Sequence, residues 1–505
     1  MKVVLISMPD VTPIIIHETA VHMPNLGIAS IGANIGENHS VYIIDLIRKR
    51  RQVRKYLTRT LLKIRPELVG LSAMTWQFDT CVKIIKLIKR LLPEVRIVIG
   101  GYHPTLMYKE IAASSESELI DFMIRGEGET AFRRLVEALD GKDRFEDIAS
   151  LSYKKVPDTL HSKNETGHMF IHNPKGDLLD LSLLRLPIRD RRRLTWGYHV
   201  LYNKIEVMET SRGCTRSCNF CSIRHMYGKS FRVYPVGRVL DDLDNIYYKC
   251  KTRWAFIADD NLVLAPERVI ELCDAICRKR YKNLNLVIQA DCISMAKHEK
   301  MVAAMSRAGV KSVFLGIENA SPKNLRAVHK GDITQAAVKA VDNCHRYGIM
   351  VIGGLIHGFP DDDEKAIIRN YEFFNALKID AAYTQILTPY PKTGIRQNLK
   401  EEGLITNLYD YKYYNGLWAN VKTRHLSSEQ LQYFFWYHKQ KVLGWWKPSE
   451  LAVRDGKLWT SIWRFAFKPI LRYFVNRTHL KHGWQGRYQK ELERLSNMNR
   501  FDDLK

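Results

Sequence analysis

The sequence lacks any uninterrupted apolar stretch near the roughly 18 residues that are needed to cross a bilayer. Its opening, Met1 to Ile6, is too short an apolar run for a secretory leader and predicts a first β-strand. Nine cysteines without such a leader are typical of a reducing compartment, where thiols bind metal and do not build a disulfide framework. We therefore expect a cytoplasmic protein that is soluble or peripheral on the cytoplasmic face of a membrane.

Acidic residues are also few compared with basic ones. The chain has 54 Asp and Glu against 78 Lys and Arg, which gives a formal net charge of +24. Such an excess fits a nucleic acid, an anionic membrane surface or an acidic substrate as partner, and charge alone does not choose among them. A length of 505 residues exceeds one ordinary hydrophobic core, so about three domains are expected.

Three of the cysteines are close together and follow a short β-like run, Ile205 to Thr210. Cys214, Cys218 and Cys221 have the spacing C-x3-C-x2-C and supply three soft ligands. A structural zinc site or an electron-transfer iron–sulfur cluster normally takes four protein ligands. No fourth cysteine lies at zinc spacing, although His225, shortly after Cys221, keeps a zinc loop open as an alternative. Three thiolates on a cubane would leave one iron free to bind another molecule.

This motif, with the aromatic Phe220 before the third cysteine, resembles that of the radical S-adenosylmethionine (SAM) enzymes. The resemblance implies that Cys214, Cys218 and Cys221 hold a [4Fe–4S] cluster and that Phe220 lies beside the adenine of SAM. It also implies that the open iron binds the amino and carboxylate groups of SAM, which one electron cleaves to a 5′-deoxyadenosyl radical. A reductase with flavodoxin or ferredoxin is the implied electron donor.

Residues 1–145 alternate β-branched runs with amphipathic helical stretches, which predicts a doubly wound, Rossmann-like α/β domain. The predicted strands are Lys2–Ile6, Ser40–Asp45, Leu68–Ala73, Arg96–Gly100 and Phe122–Arg125. Ligands bind beyond the carboxyl ends of such strands. The loops found there resemble those of the cobalamin-binding domain in one branch of the radical SAM family. The cobalamin contacts implied by this resemblance are Ser72, Thr75, Gly100, Gly101, His103, Gly126 and Glu127.

One departure from other cobalamin proteins concerns the cobalt ligand. The motif D-x-H-x-x-G, whose histidine ligates cobalt in those proteins, is absent. His103 is therefore interpreted as a turn or supporting residue and not as the axial ligand, and a domain that has lost cobalamin stays an alternative. Cys81 is the only cysteine in this domain, whereas RNA-modifying methylthiotransferases of similar layout need three here.

Residues 146–200 are irregular, contain Pro157, Pro174 and Pro187, and carry a basic run from Arg189 to Arg193. This composition predicts a linker whose arginines form a solvated face. Residues 201–395 then return to β/α alternation, which predicts a partial (βα)6 barrel with its chemistry at the carboxyl ends of the strands. The predicted strands are Ile205–Thr210, Trp254–Ala258, Asn285–Ala290, Ser312–Ile317, Met350–Leu355 and Ala381–Leu387.

The resemblance assigns SAM-binding roles to polar and glycine residues at these strand ends. They are Asp260, Asn261, Gln289, Glu318, Gly353 and Gly354. Tyr383 and Tyr390 are candidates for hydrogen or proton donors near the substrate, although an aromatic residue at a barrel mouth more often forms wall.

Residues 396–505 predict a helical region in which aromatic and basic residues alternate. The alternating stretches are Tyr433–Lys439, Trp445–Lys447 and Trp459–Phe474. Such helices either lie in a membrane interface or pack their rings on the barrel, and a basic aromatic surface also suits single-stranded RNA.

The complete pattern resembles cobalamin-dependent radical SAM C-methyltransferases, and hopanoid (triterpenoid) methylases in particular. The function that this implies is transfer of a methyl group to an unactivated carbon of a lipidic small molecule, with a [4Fe–4S] cluster, SAM and cobalamin as cofactors. One SAM would methylate cobalamin and a second would generate the radical. The alternatives are a ring-forming or oxidative radical enzyme acting on a tetrapyrrole or lipid, and an RNA-modifying radical SAM enzyme. Nucleic acid is not the expected partner, because no RNA-binding appendage is recognisable.

Overall fold

The computed structural model describes residues 1–11, 21–154, 170–194, 197–200, 203–443 and 483–504. Two mixed sheets dominate it, and each is built around a run of parallel strands. The predicted fold class is confirmed: a Rossmann-like first domain precedes a partial barrel and C-terminal helices. None of the described helices is both long enough and apolar enough to cross a membrane.

The first sheet is formed by runs such as Val3 to Ile6, which are buried on both faces as parallel strands between helices are. Its order is β3-β1-β4-β5-β6-β7-β8, with the first five strands parallel and the last two antiparallel. The strands of this part of the chain are β1 (Lys2–Ser7), β2 (Val21–His22), β3 (Ser40–Asp45), β4 (Leu68–Ser72), β5 (Arg96–Gly100), β6 (Phe122–Ile124), β7 (Leu151–Lys154) and β8 (Phe170–His172). The helices are α1 (Leu26–Asn34), α2 (Val53–Ile64), α3 (Phe78–Leu91), α4 (Tyr102–Ala112) and α5 (Glu129–Leu139).

Strands β7 and β8 lie in the stretch that the sequence predicts to be linker. They extend the first sheet beyond β6, so residues 151–154 and 170–172 belong to the sheet of the first domain. Each has only three or four residues, which is too short for a period-two pattern to stand out among prolines and polar residues.

The second sheet contains six parallel strands in the order β10-β13-β14-β15-β16-β17, as a partial (βα)6 barrel requires. The strands are β9 (His199–Val200), β10 (Asn203–Met208), β11 (Ser211–Arg212), β12 (Arg232–Val233), β13 (Trp254–Ile257), β14 (Asn285–Asp291), β15 (Val310–Glu318), β16 (Met350–His357) and β17 (Ala381–Ile386). The helices are α6 (Ile223–Tyr227), α7 (Val236–Asp244), α8 (Pro266–Arg278), α9 (Cys292–Lys297), α10 (Glu299–Arg307), α11 (Pro322–Ala327), α12 (Thr334–Arg346), α13 (Glu364–Ala376) and α14 (Gly394–Glu401). Strands β11 and β12 form a separate two-stranded ribbon.

One strand from the N-terminal part of the chain belongs to the second sheet. Strand β2 leaves the first domain and pairs antiparallel with β9, which in turn pairs with β10, so it becomes the edge of the barrel sheet. His22 and His199 face each other across this pairing, with ring centroids 5.0 Å apart. The first domain and the barrel are therefore joined by backbone pairing as well as by side chains.

The C-terminal region consists of α15 (Ser428–His438) and α16 (Trp484–Met498), and the chain that follows returns to the first domain. Asn499 exchanges two hydrogen bonds with the backbone of Val11, each of 2.9 Å. Phe501 and Leu504 are buried in the core between α2 and α3. Of the aromatic and basic stretches, Tyr433–Lys439 forms most of α15, and the other two lie outside the described residues.

The prediction that the arginines of 189–193 form a solvated face is wrong for two of them. Arg189 and Arg192 are 4% and 5% exposed. Arg189 bonds to Asp242, and Arg192 bonds to Glu206 on β10. The run has no periodicity that marks which arginines face inward, so the sequence does not distinguish buried members from exposed ones.

Asp10, just after β1, is expected to make the stability of the protein depend on pH. Its Oδ1 accepts a hydrogen bond of 2.8 Å from Thr80 Oγ1, and its Oδ2 has no hydrogen-bond partner among the described residues. Burial raises the pKa of Asp10 to about 8, although the Thr80 hydroxyl lowers it in part. Between about pH 4 and pH 8 the unfolded chain loses this proton while the folded chain keeps it, so Asp10 lowers stability progressively as pH rises.

Asp10→Asn is therefore expected to raise the free energy of unfolding by about 2–5 kcal/mol at pH 8 and to change it little near pH 4. Chemical denaturation followed by circular dichroism at both pH values measures this. Asp79→Asn removes a half-exposed carboxylate from the neighbouring α3 and should have an effect within about 0.5 kcal/mol. Equal stabilisation by Asp10→Asn at both pH values would contradict the assignment.

Candidate functional site

The cysteine loop, residues 213–231, is held at its base by the end of the neighbouring strand β13. Asp259 accepts hydrogen bonds from the Thr210 N–H (2.7 Å), the Thr210 hydroxyl (2.6 Å) and the Ser211 hydroxyl (2.6 Å). Asp260 accepts a bond of 2.9 Å from the Gly213 N–H. Burial raises the pKa of both carboxyls to about 6, and the donors of the loop lower it in part. The two aspartates therefore fix the backbone directly before the first cysteine.

Gly213 permits the sharp turn at the start of this loop. Its φ is +88°, and a Cβ placed there would collide with the Ser230 carbonyl oxygen. Gly213→Ala is expected to cost about 2–4 kcal/mol of stability and to lower the iron bound per chain after anaerobic reconstitution. The matched control is Gly228→Ala in the same loop, where φ is +64° but a Cβ meets nothing within 4 Å. Equal iron content in the two variants would show that the collision has no consequence.

A cavity of about 190 Å³ opens between the cysteine loop and the carboxyl ends of β13, β14 and β15. The structure brings eight of the residues singled out in the sequence to its wall: Cys214, Cys218, Phe220, Cys221, Asp260, Asn261, Gln289 and Glu318. The loop therefore contributes thiols to the wall of this cavity, and the strand ends contribute carboxylate and amide groups.

Two basic residues of this cavity were not identified from the sequence. Arg216, between the first two cysteines, bonds to Asp291 at 3.1 Å, and Asp291 also accepts a bond of 3.0 Å from Asn261. Lys330 bonds to Glu318 at 2.7 Å. Their only sequence signal was a basic residue inside or shortly after a motif, which is common in a chain of this charge.

Glu318 is held in an unusual conformation. Its φ is +67°, a left-handed value that is rare for a residue other than glycine, and it ends β15. Burial alone would lower the pKa of Lys330, but the Glu318 carboxylate raises it above its usual value. The strained backbone and the buried ion pair together aim this carboxylate into the cavity, as strained residues at functional sites often do.

The structure places the other predicted barrel residues differently. Gly353 faces the outer helices, where a Cβ would press on Phe374, and Gly354 lies under the ring of Phe314 inside the barrel. Tyr383 also faces the interior, with its ring 5.8 Å from that of Phe314, and its hydroxyl accepts a bond of 2.6 Å from Gln385. Phe314 lines the cysteine cavity, whereas neither glycine is part of its wall.

Tyr390 lies in the loop after β17, with its ring centroid 6.4 Å from that of Tyr414. Burial raises the pKa of Tyr383 to about 12 and also raises that of Tyr390. Both phenols are therefore neutral at physiological pH.

A second cavity, of about 240 Å³, is the crevice at the carboxyl ends of the strands in the first sheet. Of the residues predicted to contact cobalamin, its wall contains Ser72, Gly100, Gly101, Gly126 and Glu127. Gly101 has a φ of +94°, and a Cβ there would lie 2.8 Å from the Ala73 carbonyl oxygen. A Cβ at Gly126 would meet nothing closer than 3.9 Å, so this part of the wall leaves room for a bulky ligand.

Thr75 and His103 do not belong to this wall. Thr75 is buried at the start of a 3₁₀ turn. The His103 ring packs between Phe78 at 4.3 Å and Tyr411 at 5.2 Å, and burial lowers its pKa to about 3. The glycine turn from Gly100 to Pro104 predicts which loop reaches the crevice, but the His103 side chain points away from the crevice, to the opposite side of α4.

The two cavities share the short helix α6. Ile223 and Arg224 at its start line the cysteine cavity, while Met226 and Tyr227 at its end line the crevice. Tyr102 also lines the crevice, and burial together with the nearby Asp260 and Tyr227 raises its pKa well above the usual value. Groups bound in the two cavities would therefore lie at opposite ends of the same short helix.

The two parts of the chain that form these cavities each match a known protein family. Residues 12–136 match the model of the B12 binding domain, and residues 208–374 match the model of the radical SAM superfamily. The chain therefore carries a B12 binding domain and a radical SAM domain. The predicted family and the predicted cofactors, cobalamin, SAM and a [4Fe–4S] cluster, are confirmed by these two matches.

This chain is similar to other proteins over most of its length. It is 29% identical to an uncharacterized methyltransferase of Pyrococcus horikoshii, over 83% of this chain and 89% of that one. It is 24% identical to the hopanoid C-3 methylase of Methylococcus capsulatus, over 93% of this chain and 89% of that one. The fold is similar to that of the radical SAM methyltransferase TsrM from Kitasatospora setae, with a TM-score of 0.63, 17% identity and coverage of 79% and 75%.

The residues present fit these cofactors. Cys214, Cys218 and Cys221 line one cavity and offer three soft sulfur ligands, the kind that hold iron–sulfur clusters. Burial raises the pKa of Cys221 to about 12, and a bound metal would be needed to hold this sulfur as a thiolate. The glycine wall of the crevice leaves backbone accessible to a large ring.

Proposed function

We propose that this protein is a cobalamin-dependent radical SAM C-methyltransferase that methylates an unactivated carbon of a lipidic substrate such as a hopanoid. The observation that carries the proposal is the sharing of α6 by the two cavities. A hydrogen-abstracting group and a methyl donor can serve one carbon atom only if both reach it, and adjacent cavities provide that proximity. When bound, the cluster with SAM supplies the radical and cobalamin supplies the methyl group.

The roles of individual residues follow from their positions. The three cysteines of the loop hold the cluster. Phe220, Asp260, Asn261, Gln289 and Glu318 line the space left for SAM, and the last four offer carboxylate and amide groups to its amino group and its ribose. Ser72, Gly100, Gly101 and Gly126 form the wall that faces cobalamin. A reductase with flavodoxin or ferredoxin supplies the electron.

The interior of the barrel supports an apolar substrate. Phe314 and Tyr383 are adjacent inside it, and the Tyr383 hydroxyl with the Gln385 amide forms one polar point in an aromatic surrounding. Such a lining suits fused apolar rings with a single oriented group. The hopanoid C-3 methylase, to which the chain is similar along nearly its whole length, is named for a substrate of this kind.

The surface of α15 and α16 supports peripheral contact with a membrane. Trp484 is 39% exposed, and the Arg487 guanidinium lies 5.5 Å from its ring centroid. The Lys441 amine is placed similarly, 4.9 Å from the ring of Tyr437. Aromatic rings with cations beside them are typical of surfaces that lie in the interface of an anionic bilayer.

The experiment that tests this function is anaerobic incubation of reconstituted protein with cobalamin, methyl-labelled SAM and a total lipid extract. Mass spectrometry should find a lipid that is heavier by one labelled methyl group, and the signal should be lost when cobalamin is omitted. Formation of 5′-deoxyadenosine without a labelled lipid would overturn the lipid assignment and favour a tetrapyrrole or another substrate. Absence of both products would overturn the proposed reaction.

A further inference from the structure

Two arginines lie directly opposite each other at the base of the cysteine loop. In the ribbon of β11 and β12, Arg212 is the cross-strand partner of Arg232, and the whole cysteine loop lies between them in sequence. Like charges directly opposite each other weaken antiparallel pairing. A ribbon of two strands is marginal even without such repulsion. The base of the loop therefore requires a negative charge between the two guanidinium groups.

Glu127 of the first domain provides that charge. Its Oε1 accepts bonds of 3.0 Å from Arg212 Nη1 and from Arg232 Nη2, and its Oε2 accepts bonds of 3.0 Å from Arg232 Nη1 and from the Leu179 N–H. The carboxylate side chain is only 4% exposed. Four donors fill nearly all the acceptor positions of a carboxylate. The carboxylate therefore ties both strands of the ribbon to the turn that lines the crevice.

The surrounding charges make Glu127 the residue on which Arg232 depends. Arg212 has two further carboxylate partners, Glu129 at 2.6 Å and Glu209 at 3.0 Å. Arg232 pairs with no other carboxylate among the described residues, and its further contacts are the Leu179 carbonyl oxygen at 2.7 Å and the ring of Tyr227, with the centroid 5.8 Å away. Loss of Glu127 would leave Arg232 beside Arg212 with no carboxylate partner of its own.

We propose that Glu127 is a positioning residue: it closes the base of the cysteine loop when the first domain docks on the barrel, and so sets where the three thiols stand relative to the crevice. The turn Gly126 to Glu129 resembles a loop that contacts cobalamin, but the Glu127 carboxylate is already occupied by its four bonds to the ribbon and to Leu179. The cysteine loop therefore becomes ordered when the first domain docks on the barrel. The proposal holds whichever substrate is methylated.

Hydrogen exchange with mass spectrometry on the reconstituted protein tests this role. Glu127→Gln should make the amides of residues 213–231 exchange roughly 10- to 100-fold faster while the rest of the barrel is unchanged. Glu118→Gln removes an exposed carboxylate from the same domain and should leave these rates unchanged. The double variant Glu127→Gln/Arg232→Gln removes the repulsion but does not restore the bonds to the first domain, so its loop should exchange more slowly than that of Glu127→Gln and at least as fast as that of Arg232→Gln.

Two results would overturn the proposal: wild-type exchange of residues 213–231 in Glu127→Gln, or a double variant that exchanges as fast as Glu127→Gln alone. If Glu127→Gln does not yield folded protein, Arg232→Gln decides, because it leaves the bond between Arg212 and Glu127 in place. A several-fold increase in exchange confined to the same residues supports the proposal, and unchanged exchange overturns it.

Discussion

Replacing any one of Cys214, Cys218 and Cys221 with alanine is expected to abolish formation of 5′-deoxyadenosine and most iron binding after anaerobic reconstitution. Loss of an outer partner of a metal ligand typically costs 10- to 100-fold, and loss of a ligand itself should exceed that range. The three thiols line one cavity with Asn261 and Glu318, so each contributes to the same site. Iron analysis and chromatographic detection of 5′-deoxyadenosine under reducing conditions measure the effect.

Cys277→Ala is the matched control for these variants. Its thiol is also partly exposed, but it lies on α8, on the outside of the barrel sheet, and packs against the core. This variant should retain iron and 5′-deoxyadenosine formation. If a Cys214→Ala protein kept both, the cluster would have to be bound elsewhere.

Replacing Arg189 with glutamine is expected to lower the free energy of unfolding by about 3–5 kcal/mol, because it leaves the buried Asp242 carboxylate without its cation. Arg189 bonds to Asp242 through both terminal nitrogens, at 2.5 and 3.1 Å, and its Nε lies 3.4 Å from Glu206. All three side chains are at most 3% exposed. Chemical denaturation of the apoprotein measures the loss.

Arg185→Gln is the control, because it removes an ion pair of the same chemistry at the surface. Arg185 lies 3.1 Å from Glu37, but the two side chains are 57% and 84% exposed. An exposed pair contributes about 0–1 kcal/mol. Equal losses for the two variants would show that burial of Arg189 is not what makes its pairing important.

The parallel strands of both sheets could be predicted from the sequence because their runs of apolar residues have clear ends. The predicted bounds of Ser40–Asp45 and Arg96–Gly100 coincide with the observed β3 and β5. The parallel strands of the first sheet are buried on both faces, so they are continuously apolar and stand out from the helices between them. Strands β7 and β8 are short and half polar, and nothing local distinguishes them from a loop.

The sequence predicts which loops form the candidate site, but it does not predict the direction in which their side chains point. Strand ends and glycine turns indicate which loops converge, because topology brings them to one edge. The direction of a side chain depends on register and packing. Gly353 and Gly354 are neighbours but face opposite sides of the sheet, and His103 leaves the crevice because a helix begins at Tyr102. The partners of Glu127 lie in another domain, beyond the reach of local patterns.

The return of the C-terminal residues to the first domain determines when that domain can finish folding during synthesis. Val11 and Asn499 bond to each other across 488 positions of sequence, and Phe501 and Leu504 complete the apolar core around α2 and α3. On the ribosome, the first domain would emerge with this part of its core still open to solvent, and it would wait through translation of the entire barrel. Contacts of such long range slow folding. The nascent chain thus has a long interval in which an unfinished core is exposed, and a chaperone that shields apolar surface would be of most use to it in that interval.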